Sequence, residues 1–217
     1  MSITEELVRI PADTAHIEGA LTLPSAAVGL VLFAHGSGSS RHSPRNQYVA
    51  RVLNGRGLGT LLMDLLTPAE DENYATRFDI TLLARRLTLA TNWLGGQPAC
   101  KGLPVGYFGA STGAAAALIA AAGLGNNIRA VVSRGGRPDL AGDALDQVRS
   151  PVLLIVGGHD YGVIELNQEA FTRLGGHKEL AIVAGATHLF EEAGTLEQVA
   201  ALAADWLEQH LKKGSTT

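Results

Sequence analysis

Apolar and polar residues alternate in two short runs at the start of the chain. The runs are Leu7–Ile10 and His16–Leu23, and a turn separates them at Pro11 to Asp13. Alternation with a period of two places apolar side chains on one face of a strand and polar side chains on the other. The pattern predicts an antiparallel hairpin with one face in solvent.

After Pro24 the apolar residues form short continuous runs, which are typical of strands buried on both faces. These runs lie at residues 29–33, 59–63, 105–108, 130–132, 152–156 and 180–183. Segments with helical spacing of apolar residues separate them, at residues 44–56, 76–95, 112–122, 162–174 and 195–212. The alternation predicts an α/β fold, with a mostly parallel sheet of about eight strands and helices on both faces.

The helix predicted at 76–95 has distinct apolar and polar faces. The apolar face contains Phe78, Leu82, Leu83, Leu87, Ala90 and Leu94, and the opposite face contains Arg77, Arg85, Arg86 and Asn92. We expect the first set to pack on the sheet and the second to lie in solvent.

A single domain accounts for the whole pattern. The 217 residues can bury a sizeable core, and no internal repeat or linker interrupts them. We expect one domain over residues 1–213 and a flexible tail at 214–217. Only about 16 residues connect the strand that ends near Arg134 to the strand that begins near Pro151, which leaves no room for a substantial cap domain.

Composition and charge exclude several classes of protein. With 46% hydrophobic and 18% charged residues, the chain is not disordered. The 17 Lys and Arg residues are outnumbered by 21 Asp and Glu, so the basic footprint of a nucleic-acid binder is missing. The uncharged stretch 102–128 combines a strand with a helix and is not a membrane span. We expect a cytoplasmic protein, since the N-terminus lacks a secretory signal and Cys100 is the sole cysteine.

The candidate chemistry centres on a Gly-x-Ser-x-Gly pattern at residues 109–113, where a strand pattern runs directly into a helix pattern. A serine in this context sits on a sharp, strained turn that lifts its hydroxyl above the sheet. The Thr112 amide lies at the start of the helix, where a developing oxyanion is stabilised. Ser111 is therefore a candidate nucleophile. The structural alternative is a glycine-rich turn in which Ser111 caps the helix.

Two further residues lie where a serine nucleophile needs them. Asp160 follows the predicted strand at 152–156, and His188 follows the strand at 180–183. A serine needs a base, and the base needs a third group to orient it. Because the carboxyl ends of parallel strands meet at one edge of a sheet, all three side chains can converge there. Their order along the chain matches the order expected for such a triad.

These motifs resemble those of α/β-hydrolases, and in particular the small, lid-poor dienelactone-hydrolase-like esterases. The similarity covers nearly the whole chain, including Phe33–Gly36 after the third predicted strand and Gly185–His188 near the end. The resemblance implies an α/β-hydrolase fold in which Ser111 is the nucleophile, His188 the general base and Asp160 the acid.

The resemblance also implies that the amides of Ser37 and Thr112 form the oxyanion hole. The sequence departs from dienelactone hydrolase proper in its nucleophile, which is a cysteine in that enzyme. Here the elbow holds Ser111, and Cys100 lies in a loop-like segment. The departure weakens the inference of a dienelactone substrate and leaves ester hydrolysis as the expected activity.

Other polar residues have structural explanations. His35 is interpreted as a buried histidine that holds the oxyanion loop, Asp64 as a structural carboxylate, and His159 as a lesser candidate for the base. We expect surface positions for His16, His177 and His210, and His42 stays open. No histidine pair has the spacing of a metal site. Acyl transfer through a serine triad needs neither a metal nor an organic cofactor, so we expect none.

Two sets of arginines follow predicted strand ends. Arg41 and Arg45 come after the loop at 36–40, which lacks the lysine of a nucleotide-binding loop, and Arg134 and Arg137 follow another strand. One interpretation is that these arginines are solvated or have structural roles. The competing hypothesis is that Arg41 or Arg134 recognises a carboxylate or another anionic group of the substrate.

The sequence thus predicts a serine esterase of small, soluble, short-acyl substrates, with no nucleic-acid or membrane partner. An acyltransferase or thioesterase would use the same residues. A non-catalytic domain of the same fold that binds a small ligand is the alternative from another class, because a fold does not establish a function.

Overall fold

The chain begins with the antiparallel hairpin that the alternating runs predict. In a computed structural model that describes residues 2–212, the hairpin consists of β1 (Ile3–Ala12) and β2 (Ala15–Pro24). Both strands are longer than the alternating runs, and Asp13 turns the chain between them with a left-handed φ of 59°. The predicted tail at 214–217 lies outside the described residues.

Six further strands extend the hairpin into one eight-stranded sheet. They are β3 (Gly29–Ala34), β4 (Leu58–Met63), β5 (Val105–Ala110), β6 (Ile128–Arg134), β7 (Val152–Gly157) and β8 (Lys178–Val183). The strand order is β1-β2-β4-β3-β5-β6-β7-β8, with β2 antiparallel to β4 and all later pairings parallel. The predicted mostly parallel sheet with an N-terminal hairpin is confirmed.

Helices cover both faces of the sheet, as predicted. They are α1 (Pro44–Gly55), α2 (Pro68–Asp71), α3 (Ile80–Gly95), α4 (Thr112–Leu124), α5 (Tyr161–Arg173) and α6 (Thr195–Leu211). One buried cluster joins the sheet to α1 and α6, and a second joins it to α3, α4 and α5. Successive residues of β3 enter opposite clusters, with Leu32 in one and Phe33 in the other. A strand covered on both faces must be apolar at every position, which explains the continuous runs.

The helix predicted from residue 76 begins at Ile80. A 3₁₀ turn occupies Thr76–Phe78, and Asp79 then caps α3 by accepting a hydrogen bond from the Leu82 amide at 2.9 Å. The prediction that Phe78 lies on the buried face is wrong: the residue is 43% exposed, because it lies in the 3₁₀ turn before the helix.

Arg86 corrects the predicted polar face of the same helix. Its side chain is buried rather than solvated, with only 4% of the residue exposed. The guanidinium binds the carboxylate of Glu70, at 2.6 Å, and the carbonyl oxygen of Ala12. Arg86 is buried because α2 and the hairpin supply these acceptors, and neither element is visible in the pattern of α3.

Two features of the second half bear on access to the strand ends. No large cap lies between β6 and β7, where a kinked 3₁₀ helix, Pro138–Gln147, packs against α4 and α5. β8 was expected to be buried on both faces, and that prediction is wrong. It is the last strand in the sheet order, and Ile182 is 46% exposed there.

Candidate active site

The Gly-x-Ser-x-Gly pattern forms a sharp turn between β5 and α4. Ser111 has φ 51° and ψ −121°, a strained conformation for a residue with a side chain. The glycines allow a close approach: a Cβ on Gly109 would lie 2.5 Å from Cα of Ala114, and one on Gly113 would lie 2.1 Å from the carbonyl oxygen of Ala34. The Ser111 side chain makes no capping hydrogen bond to α4, so helix capping does not explain this serine.

Backbone hydrogen bonds hold the strained turn in place. The Ser111 amide donates to the carbonyl of Arg134 at 3.2 Å, and the Ser111 carbonyl accepts from the Arg137 amide at 3.1 Å. These bonds continue the pairing of β5 with β6 beyond the end of both strands. The serine is therefore positioned by its backbone, while its side chain projects from the turn.

Asp160 and His188 meet beyond the carboxyl ends of β7 and β8. Oδ2 of Asp160 lies 2.6 Å from Nδ1 of His188, and the Asp160 side chain is only 15% exposed. The Asp160 amide donates to the carbonyl of Gly157 at 3.0 Å, which turns the chain tightly after β7. Phe190 has a left-handed φ of 55° and is buried, so it anchors the loop that carries His188.

Ser111 and His188 line the same open cleft, which has a volume of about 310 Å³. The walls are the loop after β3, the first turn of α1 and the ends of β5 and β6. Since Asp160 engages Nδ1 of His188, Nε2 is the nitrogen that remains for Ser111. Within residues 2–212, no hydrogen bond joins the Ser111 hydroxyl to His188. In active sites without substrate, the catalytic hydrogen bonds are often long and shorten only when substrate binds.

The loop after β3 borders the elbow at the position of the predicted oxyanion hole. The Ser37 amide donates to Oγ1 of Thr112 at 2.9 Å, so both residues of the predicted pair are in contact. His35 anchors this loop, because its Nε2 accepts the Leu65 amide at 3.0 Å and its Nδ1 bonds the Gly36 carbonyl at 2.9 Å. Burial lowers the pKa of His35 and favours the neutral ring that these bonds require.

Arg41 lies outside the Ser111 cleft, contrary to the hypothesis that it faces the substrate. Its guanidinium binds the carboxylates of Asp64 and of Glu18, the latter at 2.6 Å, and it lines a separate groove beside the hairpin. The Arg41 amide also donates to Asp64, at 2.8 Å. The carboxylates that follow β4 and lie on β2 draw Arg41 away from the cleft, and the structural interpretation of Asp64 agrees with this contact.

Arg134 lines the cleft and is 7% exposed. Burial lowers its pKa to about 10, and the positive charge of Arg45 adds to the effect. Arg45 lines the same cleft from the first turn of α1 and lies 3.1 Å from Glu191. Arg137 instead pairs with Asp139, at 2.7 Å.

Asn46 is a residue of the cleft that no motif in the sequence indicates. It is 2% exposed, it lines the cleft, and its Oδ1 has no hydrogen-bond partner within the described part of the chain. Only the packing of α1 on the sheet brings Asn46 to the cleft. The available signal was Pro44, which marks a helix start shortly after the loop of Ser37.

The remaining histidines lie away from the cleft. His159 is exposed, with its ring 6.3 Å from that of Tyr161, and His16, His42 and His177 are also exposed. His210 was expected at the surface and is half-buried, because its ring packs edge-on against Trp206 at 4.5 Å. Residues 2–212 contain no group of three potential metal ligands, and no helix among them is long and apolar enough to cross a membrane.

Comparison with known proteins places this geometry in context. No protein-family model matches the chain. Two curated proteins from strains of Mycobacterium tuberculosis, named "Putative phosphoribosyl transferase", are 61% identical over 209 residues. The match covers 96% of this chain and 47% of each relative, so the chain spans about half the length of the curated relatives it matches.

Solved structures match most of the length of the chain. Est1E from Butyrivibrio proteoclasticus shares the fold, with a TM-score of 0.81 and 16% identity over 95% of this chain and 99% of that one. Dienelactone hydrolase from Anabaena variabilis has a TM-score of 0.95 and 52% identity, over 97% of this chain and 100% of that one. With about half of its residues identical to that enzyme and the same α/β architecture, the chain belongs to the dienelactone hydrolase family of α/β-hydrolases.

Proposed function

We propose that the chain is a serine hydrolase of small carboxylic esters that acts through an acyl-enzyme on Ser111. The observation that carries this proposal is the 2.6 Å contact between Asp160 and His188, in a loop that borders the same cleft as the strained Ser111. A serine hydroxyl is a weak nucleophile and needs an oriented base. Membership of the dienelactone hydrolase family supports hydrolysis, and the elbow supports serine as the nucleophile.

In the proposed reaction, Oγ of Ser111 attacks the ester carbonyl carbon and its proton passes to Nε2 of His188. Nδ1 of His188 donates to Asp160, which fixes the tautomer and stabilises the imidazolium. The tetrahedral intermediate collapses, the bond to the alcohol oxygen breaks, and His188 returns the proton to that oxygen. Water then attacks the acyl carbon and gives a proton to His188, the bond from that carbon to Oγ breaks, and His188 returns the proton to Oγ as the acid is released.

Two backbone amides would stabilise the oxyanion. The Thr112 amide lies at the positive end of the α4 dipole, where negative charge is favoured. The Ser37 amide donates to the Thr112 hydroxyl at 2.9 Å, so it would transfer or share this hydrogen bond when the oxyanion forms. The anchored ring of His35 keeps the Ser37 loop beside the elbow.

The size of the cleft limits the proposed substrates. A cleft of about 310 Å³ without a large cap can enclose a short acyl chain and leaves a long one in water. We expect a higher kcat/KM for p-nitrophenyl acetate and butyrate than for p-nitrophenyl palmitate. Assays at concentrations below the solubility of each ester measure this ranking, and the reverse ranking would contradict it.

The nucleophile is tested by labelling and substitution together. A fluorophosphonate probe should label wild-type protein at Ser111, as located by peptide mass spectrometry, and should not label the Ser111→Ala variant. The variant should lose at least about a thousandfold in kcat. Ser25→Ala is the matched control, because Ser25 is exposed and lies far from the cleft in the turn after β2. Full activity of Ser111→Ala would refute the proposal.

The activity in the name of the curated relatives is not assigned to this chain. We propose that phosphoribosyl transfer belongs to the half of those relatives that this chain does not match, since the matched half has an α/β-hydrolase fold. The chain alone should therefore not consume phosphoribosyl pyrophosphate.

An ester panel with and without added alcohols would distinguish hydrolysis from acyl transfer by the same triad.

A further inference from the structure

The cleft beside Ser111 contains a buried cation without a counter-charge. Arg134 is 7% exposed, and its Nε is buried without a hydrogen-bond partner. No carboxylate of the described chain pairs with this guanidinium, and its ring contact is with Phe190, 5.9 Å from the ring centre. A buried charge is costly unless a partner compensates it.

Arg134 differs from the other arginine that is buried within residues 2–212, because that one has a carboxylate partner. Arg86 is buried to the same degree, and Glu70 lies 2.6 Å from it. Arg173, at the surface, binds Asp143 at 3.2 Å and Asp146 at 2.7 Å. The chain therefore supplies carboxylates to Arg86 and Arg173, whereas none of its described residues supplies one to Arg134.

The walls of the cleft increase the positive potential. Arg45 stands in the first turn of α1, where the helix dipole is positive and a cation is unfavourable. Its partner Glu191 has a side chain that is 64% exposed, so solvent screens that pair. α4 also begins at the cleft, and none of the lining residues among those described is acidic.

A second buried polar side chain faces the same space. Asn46 lines the cleft, is 2% exposed and has an Oδ1 without a partner. The other end of the amide is an NH2 donor, and a 180° rotation about the last side-chain bond exchanges it with Oδ1, so that Asn46 can donate to an anion. Two buried polar groups without partners in one cleft indicate a site built for a charged, hydrogen-bonding ligand.

We propose that the cleft holds a dianionic phosphate group of the substrate between Arg134 and Arg45, so that the substrate is a small ester that also carries a phosphate. A carboxylate has one charge and two oxygens, which a single guanidinium fork can satisfy. A phosphate monoester has close to two charges and three terminal oxygens, which match two guanidinium groups. The ester part of this inference rests on the proposed function, whereas the phosphate site stands without it.

Binding of simple anions to the wild-type protein tests the site. Inorganic phosphate and phenyl phosphate should bind saturably in calorimetry at constant ionic strength, and both should inhibit hydrolysis of p-nitrophenyl acetate competitively. Benzoate, which matches phenyl phosphate in its ring, should bind at least about tenfold more weakly. Equal or tighter binding of benzoate, or no saturable phosphate binding, would overturn the proposal.

Variants locate the site. Arg134→Gln should weaken phenyl phosphate binding by at least about tenfold, and Arg45→Gln should weaken it by a smaller factor because Glu191 already shares that charge. Arg45 is only partly buried, so its variant keeps the test valid if Arg134→Gln unfolds. Arg173→Gln is the control and should bind as the wild type does. Unchanged binding in both cleft variants would refute the site.

The two proposals fail in different ways. If phosphate does not bind and Ser111→Ala still abolishes ester hydrolysis, the phosphate site is wrong and the serine esterase stands. If phosphate binds through Arg134 and no ester is hydrolysed at Ser111, the esterase is wrong and the anion site stands. For a phosphate-bearing ester, a fall of kcat/KM relative to that of p-nitrophenyl acetate in Arg134→Gln, with an unchanged ratio in Arg173→Gln, would support both.

Discussion

Two regions of this protein bury an arginine and treat its charge in opposite ways. At the junction of α2, α3 and the hairpin, the two terminal nitrogens of Arg86 are bound by the carboxylate of Glu70 and by the carbonyl of Ala12. At the carboxyl ends of β5 and β6, Arg134 is buried to a similar degree without an acceptor from the described chain. The same protein thus uses one guanidinium to join elements and leaves the other for a ligand.

The contrast extends to the backbone around each arginine. At the junction, Thr67 and Glu70 form a capping box, in which the Thr67 amide donates to the Glu70 carboxylate at 2.8 Å. Around the cleft, the left-handed Ser111 carries the proposed nucleophile, whereas Asp13, the left-handed residue beside the junction, lies in the turn of the hairpin. The strain at Ser111 lies where the proposed chemistry needs it, and the capping box at the junction holds the fold.

The largest expected effect comes from changing the contact between Asp160 and His188 at the cleft. Asp160→Asn should lower kcat by about 10³- to 10⁴-fold, because an amide no longer favours the tautomer that leaves Nε2 free to accept the serine proton. The free energy of unfolding should change by less than about 1 kcal/mol, since the His188 partner is itself 39% exposed. Ester kinetics and urea unfolding measure the two quantities.

Asp143→Asn is the matched control, because Asp143 is fully exposed and distant from the cleft. If Asp160→Asn lowers the free energy of unfolding by as much as it raises the activation free energy calculated from kcat, Asp160 is structural. Activity within about tenfold of the wild type would remove it from the triad.

Paired arginine variants test the comparison directly, with the next largest effect. Arg86→Met should lower the free energy of unfolding by about 2–3 kcal/mol, because it leaves Glu70 and the Ala12 carbonyl without their partner. Arg134→Met should leave that free energy unchanged or raise it, because it removes a buried charge that no residue compensates. Urea unfolding of both variants decides the issue, and equal destabilisation would show that Arg134 is a structural residue.

The smallest expected effect concerns a residue of the cleft region that is fully partnered. Burial lowers the pKa of His35 below its unfolded value, so the unfolded chain takes up a proton first as the pH falls. The stability due to the neutral ring is therefore present above about pH 6.5 and is lost below it, by at most about 1.4 kcal/mol per pH unit. Urea unfolding between about pH 7.5 and 5.5 measures this slope.

His35→Gln should reduce the slope, because its amide oxygen can accept the Leu65 amide and does not titrate. His210→Gln is the comparison variant, because the pKa of His210 is also lowered, by burial and by the neighbouring His177. A slope that His35→Gln leaves unchanged would contradict the role of the neutral ring.

Much of the fold and part of the site could be predicted because they depend on local patterns. Continuous apolar runs marked β3 to β7, and the glycines around Ser111 marked the elbow, where a Cβ on Gly113 would collide with the backbone of β3. The edge position of β8 could not be predicted in this way. Its apolar run resembles that of a central strand, and only the order of strands leaves Ile182 exposed.

The sequence by itself determined the α/β pattern, the strained serine turn and the placement of Asp160 and His188 after successive strands. Only the tertiary structure decided the partners of the charged side chains. Arg86 and Arg134 look equally polar in the sequence, yet the carbonyl of Ala12, 74 residues before Arg86, accepts a hydrogen bond from it, while no acceptor in the described chain binds the Arg134 guanidinium. Periodicity reports which residues are near in sequence, and the energy of a buried charge depends on groups that folding brings from far away.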